Sequence, residues 1–109
     1  MQYIGSAYKP APMLKDYPLK YPKKTFDELI SFVSKMYKKS QMVHADLSAF
    51  NILMFRNKPY LIDLGQAVLL EHPNATEFLR RDISNLVTYF KKYNVNADEN
   101  KIFEKIINI

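Results

Sequence analysis

The sequence predicts an α+β fold that is mainly helical, with the helices arranged around a small antiparallel β-hairpin. Three observations support this prediction: apolar residues recur at helical spacing in three stretches, two short apolar runs lie near the middle of the chain, and turn-forming residues join those two runs. With 109 residues, of which 48% are hydrophobic and 25% charged, the chain has the composition of one folded domain.

The first third of the chain is predicted to pass from an extended segment into a helix. Residues 1–4 have the pattern of a strand end, and residues 6–24 hold four of the six prolines, which predicts an irregular surface segment. A helix follows over residues 25–39. Its start is predicted from Thr25 and Glu28, whose spacing is that of a capping box.

The rest of the chain is predicted to form the hairpin and further helices. Residues 51–55 and 60–64 are the two strands, and residues 56–59 are the turn between them. Two more apolar stripes at helical spacing predict C-terminal helices over residues 74–109, the last of them beginning near Ala97.

Composition also limits the function. The absence of cysteine excludes a disulfide framework and a zinc site built on thiolates. No apolar run approaches the length of a membrane span and residues 1–30 lack a secretory pattern, so we expect a cytoplasmic protein with no membrane partner. The net charge of +5 suits phosphates or nucleic acid, although the pattern alone favours a lysine-rich solvated surface.

The chemistry is concentrated in residues 42–66, a polar loop followed by the hairpin. His44-x-Asp46-x-x-x-x-Asn51 and a later Asp-Leu-Gly run at Asp63 fit the catalytic half of the protein-kinase signature. An asparagine amide oxygen and a carboxylate are hard ligands that together can hold a magnesium ion on transferring phosphates. The earlier aspartate is then free to orient an acceptor hydroxyl and to take its proton.

Each of these residues also has a simpler interpretation. His44 alone is typical of a packed core histidine, and Asp46 alone of a loop cap. Asn51 alone would be a turn residue and Asp63 a charge at a strand end. Only the combined spacing, with a hairpin between the elements, favours phosphoryl transfer.

Three stretches of the chain resemble the C-terminal lobe of the RIO family of atypical serine/threonine protein kinases. They are HADLSAFNIL, LIDLGQA and HPNATEFLRRDISNLVTYF, in that order, and they are most similar to the first RIO subfamily. The resemblance covers essentially the whole chain. Residues 1–5 resemble the hinge that joins the two kinase lobes, which implies that this chain is a C-terminal lobe without the N-terminal lobe.

The resemblance implies a role for each candidate site residue. Asp46 would be the catalytic aspartate, and Asn51 and Asp63 would bind the Mg²⁺ or Mn²⁺ that bridges the phosphates of ATP. The family is also associated with ATPase turnover through a phosphoaspartate, which implies that Asp63 is the phosphorylated residue. The residues implied to contact the nucleotide are Gln2, Ile4, Pro10, Leu53 and Ile62. Those implied to support the site are His44, Ser48 and Asp82.

A complete kinase also needs a glycine-rich loop and a strand lysine, and neither pattern is present among residues 1–109. We therefore expect an N-terminal lobe in the full-length protein and weak activity from this chain alone, as a fragment or as a natural lone lobe. The family implies a partner in the small ribosomal subunit precursor, through its RNA or proteins. Two alternatives stay open: a non-catalytic module that binds RNA or ribosomes, and the lobe of an aminoglycoside- or choline-type small-molecule kinase.

Overall fold

The structure is a computed structural model, and it describes residues 12–48, 51–61 and 67–107. Within these residues the chain forms three α-helices and four short strands. The helices are α1 (Pro22–Lys38), α2 (Ala75–Lys91) and α3 (Glu99–Ile107), and the strands are β1 (Met42–Val43), β2 (Ile52–Phe55), β3 (Lys58–Leu61) and β4 (Val68–Leu69). The predicted strand over residues 1–4 lies outside the described residues.

α1 begins at Pro22, before the capping box from which its start was predicted. Proline suits the first helical turn because its missing N–H has no helical partner there and its fixed φ is already helical. The Thr25 N–H donates to the Tyr21 carbonyl at 3.0 Å, so Thr25 lies inside the helix, with its side chain buried instead of capping. The predicted start at residue 25 is therefore wrong, whereas the helix ends at Lys38, within one residue of the predicted end.

The segment before α1 is less irregular than its prolines predict. It contains a 3-10 turn at Leu14–Asp16, and the Leu14 side chain is fully buried in the core. The Tyr89 hydroxyl donates to the Leu14 carbonyl at 3.0 Å. The segment is thus held by the burial of Leu14 in the core and by this hydrogen bond to α2.

The hairpin turn is shorter than predicted. Phe55 faces Lys58 across the antiparallel pair of β2 and β3, so only Arg56 and Asn57 form the turn. Both have positive φ, 52° and 65°, which is the backbone of the type I′ turn that matches the twist of a hairpin. The predicted turn over residues 56–59 is therefore wrong, because two left-handed residues are enough to reverse the chain. The second strand, predicted over 60–64, begins at Lys58, and residues 62–64 lie outside the described residues.

Pro59 joins β3 without loss of a ladder hydrogen bond. The Phe55–Lys58 pair closes the turn, so the next pair, Met54 and Pro59, occupies a non-hydrogen-bonded position where a missing N–H is tolerated. The Met54 N–H points the other way and donates to the Pro12 carbonyl at 2.9 Å. A proline that the sequence assigned to the turn is therefore a strand residue.

A second antiparallel pair, β1 with β4, was not predicted. Met42 faces Leu69 and Val43 faces Val68, and the Leu70 N–H extends the pairing to the Gln41 carbonyl at 3.0 Å. Two-residue strands that lie far apart in sequence carry no periodic pattern, which explains why they were missed. The pair fixes the end of β1, from which the polar loop leaves.

The core lies where the three helices meet the strands. Phe90 of α2 is fully buried and contacts Phe26 of α1 edge to face, with ring centroids 5.4 Å apart. Asp98, directly before α3, caps that helix, because its Oδ1 accepts from the N–H groups of Asn100 and Lys101. The other buried apolar residues of this core are Leu14, Leu29, Val33, Val43, Leu47, Ile52, Met54, Ala75, Leu79, Ile83, Leu86, Val87, Val95, Phe103 and Ile106. The fold is α+β, as the sequence predicts.

Among the described helices, none combines the length and apolar character that crossing a bilayer requires.

Candidate active site

The polar loop runs from the end of β1 to the start of β2. Its turn is made at Ala45, whose φ of 74° is left-handed and costs a residue with a Cβ on the order of 1 kcal/mol. Ala45 and Leu47 are buried, at 6% and 0% exposure, whereas Asp46 between them is exposed. The loop therefore presents Asp46 to solvent from a backbone that is buried on both sides.

A buried aspartate of α2 binds this backbone. Asp82 is fully buried, and its carboxylate oxygens accept from the N–H groups of Ala45 at 2.8 Å and Leu47 at 3.0 Å. Burial raises the pKa of Asp82 above its ordinary value of 3.8; the two backbone hydrogen bonds, and then the charges of His44 and Arg81, oppose that rise. Asp82 is thus bonded to the loop backbone on both sides of Asp46, and its role in supporting the site stays a prediction.

Two neighbours of Asp82 bind the carbonyl groups of the same two loop residues. Arg81 donates to the Ala45 carbonyl, and Asn85 Nδ2 donates to the Leu47 carbonyl at 3.1 Å. We refer to Arg81, Asp82 and Asn85 as the α2 clamp. The clamp provides partners for both N–H and both C=O groups of Ala45 and Leu47, so the backbone on each side of Asp46 is fixed.

Sequence reasoning assigned no role to Arg81 and Asn85, because polar residues on a helix are usually solvated. The available signal is the Arg-Asp-x-x-Asn spacing of α2, which places all three side chains on one face of the helix.

His44 lies behind the loop. Its side chain is buried, at 2% exposure, and its Nδ1 accepts from the Asp46 N–H at 3.3 Å. The position suits the supporting role that the resemblance implies.

Asn51 ties the end of the loop back to its middle. Its Oδ1 accepts from the Ser48 N–H at 2.8 Å, and its Nδ2 donates to the Asp46 carbonyl. Because both partners are backbone groups of known polarity, they fix which way the amide points. An amide oxygen has two lone pairs and Ser48 uses one, so the other can accept a ligand. Asn51 and Asp46 are thus neighbours in the structure.

Of the residues expected to contact nucleotide, the structure describes Leu53. It is half-buried on β2 and points to the opposite face from Ile52 and Met54, which are buried in the core. That orientation leaves Leu53 on the face away from the core. Outside the described residues lie Gln2, Ile4, Pro10, Ile62 and Asp63.

Within residues 12–48, 51–61 and 67–107, no group of three or more histidine, aspartate or glutamate side chains could hold a metal ion. The carboxylate expected to bind the metal together with Asn51, that of Asp63, lies outside these ranges. The described part of the site therefore offers one candidate ligand, the Asn51 oxygen, next to Asp46.

Comparisons with known proteins agree with the resemblance. A family model described as the RIO domain matches residues 1–102. The chain is 45% identical over 106 residues to the RIO-type serine/threonine-protein kinase Rio1 of Thermoplasma acidophilum, covering 97% of this chain and 55% of that protein. It is 39% identical over 97 residues to the serine/threonine-protein kinase RIO1 of Homo sapiens, covering 87% of this chain and 17% of that protein. The chain thus spans about half the length of the archaeal relative and less of the human one.

The fold also resembles solved structures. The Rio2 kinase of Chaetomium thermophilum, crystallised as an ADP/Mg²⁺-phosphoaspartate complex, matches with a TM-score of 0.72 at 20% identity, over 91% of this chain and 34% of that one. At this identity the likeness shows the fold alone. The chain has the fold of part of a Rio2 kinase. The chain belongs to the RIO family of serine/threonine-protein kinases, and its relatives named Rio1 place it with the first RIO subfamily.

Proposed function

We propose that this chain is the catalytic lobe of a RIO-type serine/threonine protein kinase and ATPase that transfers the terminal phosphoryl group of ATP. The observation that carries the proposal is the loop held by the α2 clamp, in which Asp46 is exposed and Asn51 is bonded to the Asp46 carbonyl. Catalysis of phosphoryl transfer depends mainly on positioning and electrostatics. A loop whose backbone is bonded to a helix on both sides of one exposed carboxylate meets that requirement.

In this proposal Asp46 is the catalytic base. Its carboxylate orients a serine or threonine hydroxyl and accepts the hydroxyl proton as the oxygen forms its bond to the γ-phosphorus. The bond from that phosphorus to the bridging oxygen breaks, and ADP leaves. The exposure of Asp46 supports this role, because the acceptor must reach the carboxylate from solvent.

The residues present fit a Mg²⁺ or Mn²⁺ ion. The free lone pair of the Asn51 amide oxygen is a hard donor, and the Asp63 carboxylate supplies the negative charge that a divalent ion needs. We assign both residues as metal ligands. When bound, the metal neutralises the charge of the nucleotide phosphates during transfer.

For the nucleotide we propose ATP, bound with its adenine against Leu53 and the residues outside the described ranges: Gln2, Ile4, Pro10 and Ile62. We further propose that Asp63 receives the γ-phosphoryl group in an ATPase cycle. This transfer forms an acyl phosphate on Asp63 and releases ADP, and water then hydrolyses the acyl phosphate. The ADP/Mg²⁺-phosphoaspartate complex of the Rio2 structure supports this assignment.

The nucleotide experiment is a titration of a fluorescent ATP analogue into the 109-residue chain with Mg²⁺, with Mn²⁺ and with EDTA. We expect weak binding that requires the metal and is lost in Asp63→Asn. Asn96→Ala, at an exposed asparagine between α2 and α3, is the matched control and should bind like the parent chain. Binding that is equal in EDTA, or unchanged in Asp63→Asn, would contradict the proposed metal site.

The catalytic assignment is tested in the full-length protein, where we expect an N-terminal lobe to cover the phosphates. Asp46→Asn should lower phosphoryl transfer on the order of 100-fold or more, with little change in nucleotide affinity. The isolated chain should turn over little ATP. Robust ATPase activity of that chain, abolished by Asp46→Ala, would show that the N-terminal lobe is dispensable.

For partners we propose the small ribosomal subunit precursor, through its RNA or its proteins. The net charge of +5 supports an acidic or nucleic-acid partner. A purely non-catalytic binding role is the second candidate function, supported by the same charge. It predicts salt-dependent RNA binding and full biological function in a variant that lacks both Asp46 and Asp63; loss of function in that variant would reject it.

A further inference from the structure

α1 and α3 enclose an open groove of about 600 Å³. Its apolar lining comes from both helices: Phe26 and Ile30 of α1, and Ile102 and Ile106 of α3. Phe26 and Ile106 are buried, while Ile30 and Ile102 are partly exposed at the surface of the core. No lining residue belongs to the polar loop or to β1–β4. The groove is thus separate from the candidate active site.

Exposed lysines stand on both sides of this groove. Lys35 and Lys38 lie on α1, and Lys101 and Lys105 lie on α3. We refer to these four as the rim lysines. None of them makes an ion pair with a residue that the structure describes. Each helix thus contributes two rim lysines, three or four positions apart, beside an apolar surface.

The acidic residues of the groove do not neutralise this rim. Asp27 is paired with Lys23 at 2.8 Å, at one end of α1. The Oδ1 of Asp98 accepts from two backbone N–H groups at the start of α3. Both carboxylates already have partners, so the rim lysines are the charges left for a ligand.

We propose that the groove between α1 and α3 binds an acidic amphipathic segment of a partner protein. A helical segment with apolar residues on one face would place them on the partly exposed Ile30 and Ile102, beneath which Phe26 and Ile106 are buried, as in other helix-in-groove complexes. Carboxylates flanking that face would meet the rim lysines on both sides. This complementarity sets orientation and speeds association.

The lining favours such a segment over RNA. Single-stranded nucleic acid is bound by positive charge together with exposed aromatic rings on which bases stack. The aromatic ring in the apolar lining, Phe26, is 3% exposed and already packs edge to face on Phe90. Aliphatic surface between lysines matches leucine and glutamate side chains. The proposal does not depend on the proposed catalytic function, because it uses none of the active-site residues.

The test is fluorescence anisotropy with the 109-residue chain and a labelled peptide of about four helical turns. The peptide carries leucine at i, i+3, i+4 and i+7 and glutamate on the flanks, and its comparators are a scrambled peptide and a lysine-for-glutamate peptide. We expect saturable binding of the first peptide only. Lys101→Glu/Lys105→Glu should weaken that binding on the order of tenfold or more, because each reversal replaces an attraction by a repulsion.

The matched control is Lys39→Glu/Lys91→Glu, which changes the net charge equally at exposed positions outside the groove. It should weaken binding by less than about threefold, through the overall field alone. Lys35→Glu/Lys38→Glu, on the opposite rim, repeats the test if the α3 variant lowers the melting temperature. Equal losses in the groove and control variants, saturable binding of the scrambled peptide, or tighter groove-dependent binding of a single-stranded RNA than of the acidic peptide would each overturn the proposal.

Discussion

Ala45 and Asp82 are joined by one hydrogen bond, which stabilises a strained backbone in one residue and a buried carboxylate in the other. The left-handed backbone of Ala45 is strained, and the Asp82 carboxylate is removed from water. The hydrogen bond of 2.8 Å between them gives the strained turn a fixed partner and gives the buried carboxylate a donor. Because one hydrogen bond stabilises both groups, a substitution of either residue should change the stability of the same loop.

The first prediction concerns the backbone of Ala45. Ala45→Val should destabilise the chain by roughly 2 kcal/mol or more, since a β-branched residue is poorly tolerated at positive φ. Ala45→Gly should be nearly neutral, because relief of about 1 kcal/mol of strain offsets the loss of about one buried methyl group. Urea unfolding measures both free energies. A valine variant as stable as the glycine variant would show that the turn is not left-handed.

The second prediction is a pH dependence that belongs to Asp82. Burial raises its pKa in the folded chain above 3.8, so between 3.8 and the raised value the folded chain holds a proton that the unfolded chain has released. The contribution of Asp82 to the free energy of unfolding therefore falls as pH rises through that window and is constant above it.

The measurement is urea unfolding of the parent chain and of Asp82→Asn at a series of pH values. The free energy of unfolding of the parent chain minus that of the variant should fall as pH rises from 3.8. Asp82→Asn keeps one acceptor but turns an NH₂ group towards a backbone N–H, which should cost about 1–3 kcal/mol. A difference that grows with pH would mean that hydrogen bonding, and not burial, dominates at Asp82.

At the scale of elements, the hairpin turn is stabilised by backbone conformation and by a side-chain contact. Asn57 has a φ of 65°, and its Oδ1 accepts from the Tyr17 hydroxyl at 2.8 Å. The turn therefore also anchors the segment before α1. Both functions explain why asparagine suits this position of a type I′ turn.

The third prediction separates these two contributions. Asn57→Gly and Asn57→Ala both lose the bond to Tyr17, but only alanine has a Cβ that opposes the left-handed backbone. The glycine variant should therefore be more stable than the alanine variant by about 1 kcal/mol, measured by thermal or urea unfolding. Tyr17→Phe, which removes the same bond without touching the turn, is the control. Equal stability of the two Asn57 variants would argue against a type I′ turn.

The elements also show what a sequence of this kind can reveal. Helical periodicity located α1, α2 and α3, because each buries an apolar stripe, but not the start of α1, where Pro22 and not Thr25 decides. The two-residue strands β1 and β4 were missed because their pairing depends on distant chain segments.

At the site, spacing indicated Asp46, Asn51 and Asp63 because phosphoryl transfer needs those groups in that order. Their catalytic and metal-binding roles remain predictions. Spacing gave no role to Arg81 or Asn85, whose importance follows only from where α2 lies against the loop. Residues whose own side chains are expected to take part in the chemistry are thus easier to find in a sequence than residues that hydrogen-bond to the backbone of other residues.

For the molecule as a whole, α2 contributes both to the hydrophobic core and to the candidate site. One face of α2 carries the clamp that holds the loop, and its buried stripe, which ends in Phe90, packs in the core. The ring of Phe90 contacts that of Phe26 on α1, and its backbone accepts hydrogen bonds from Tyr93 and Val95 beyond the helix. Loosening the core at Phe90 should therefore also loosen the loop.

The fourth prediction tests this dependence with Phe90, which is fully buried. A domain of this size has a free energy of unfolding of roughly 5–15 kcal/mol, and truncation of a buried phenylalanine to alanine typically costs about 3–5 kcal/mol. Phe90→Ala should therefore lower the urea midpoint by a large fraction and expose the loop amides of Ala45 and Leu47 to hydrogen exchange. Phe90→Leu leaves a smaller cavity and should show the same changes to a lesser degree, while Tyr60→Ala, at a side chain that is 37% exposed, should change neither.

If Phe90→Leu lowered stability but left protection of the two loop amides unchanged relative to the rest of the core, the loop would be held independently of how α2 packs. The clamp alone, and not the core behind it, would then set the position of Asp46.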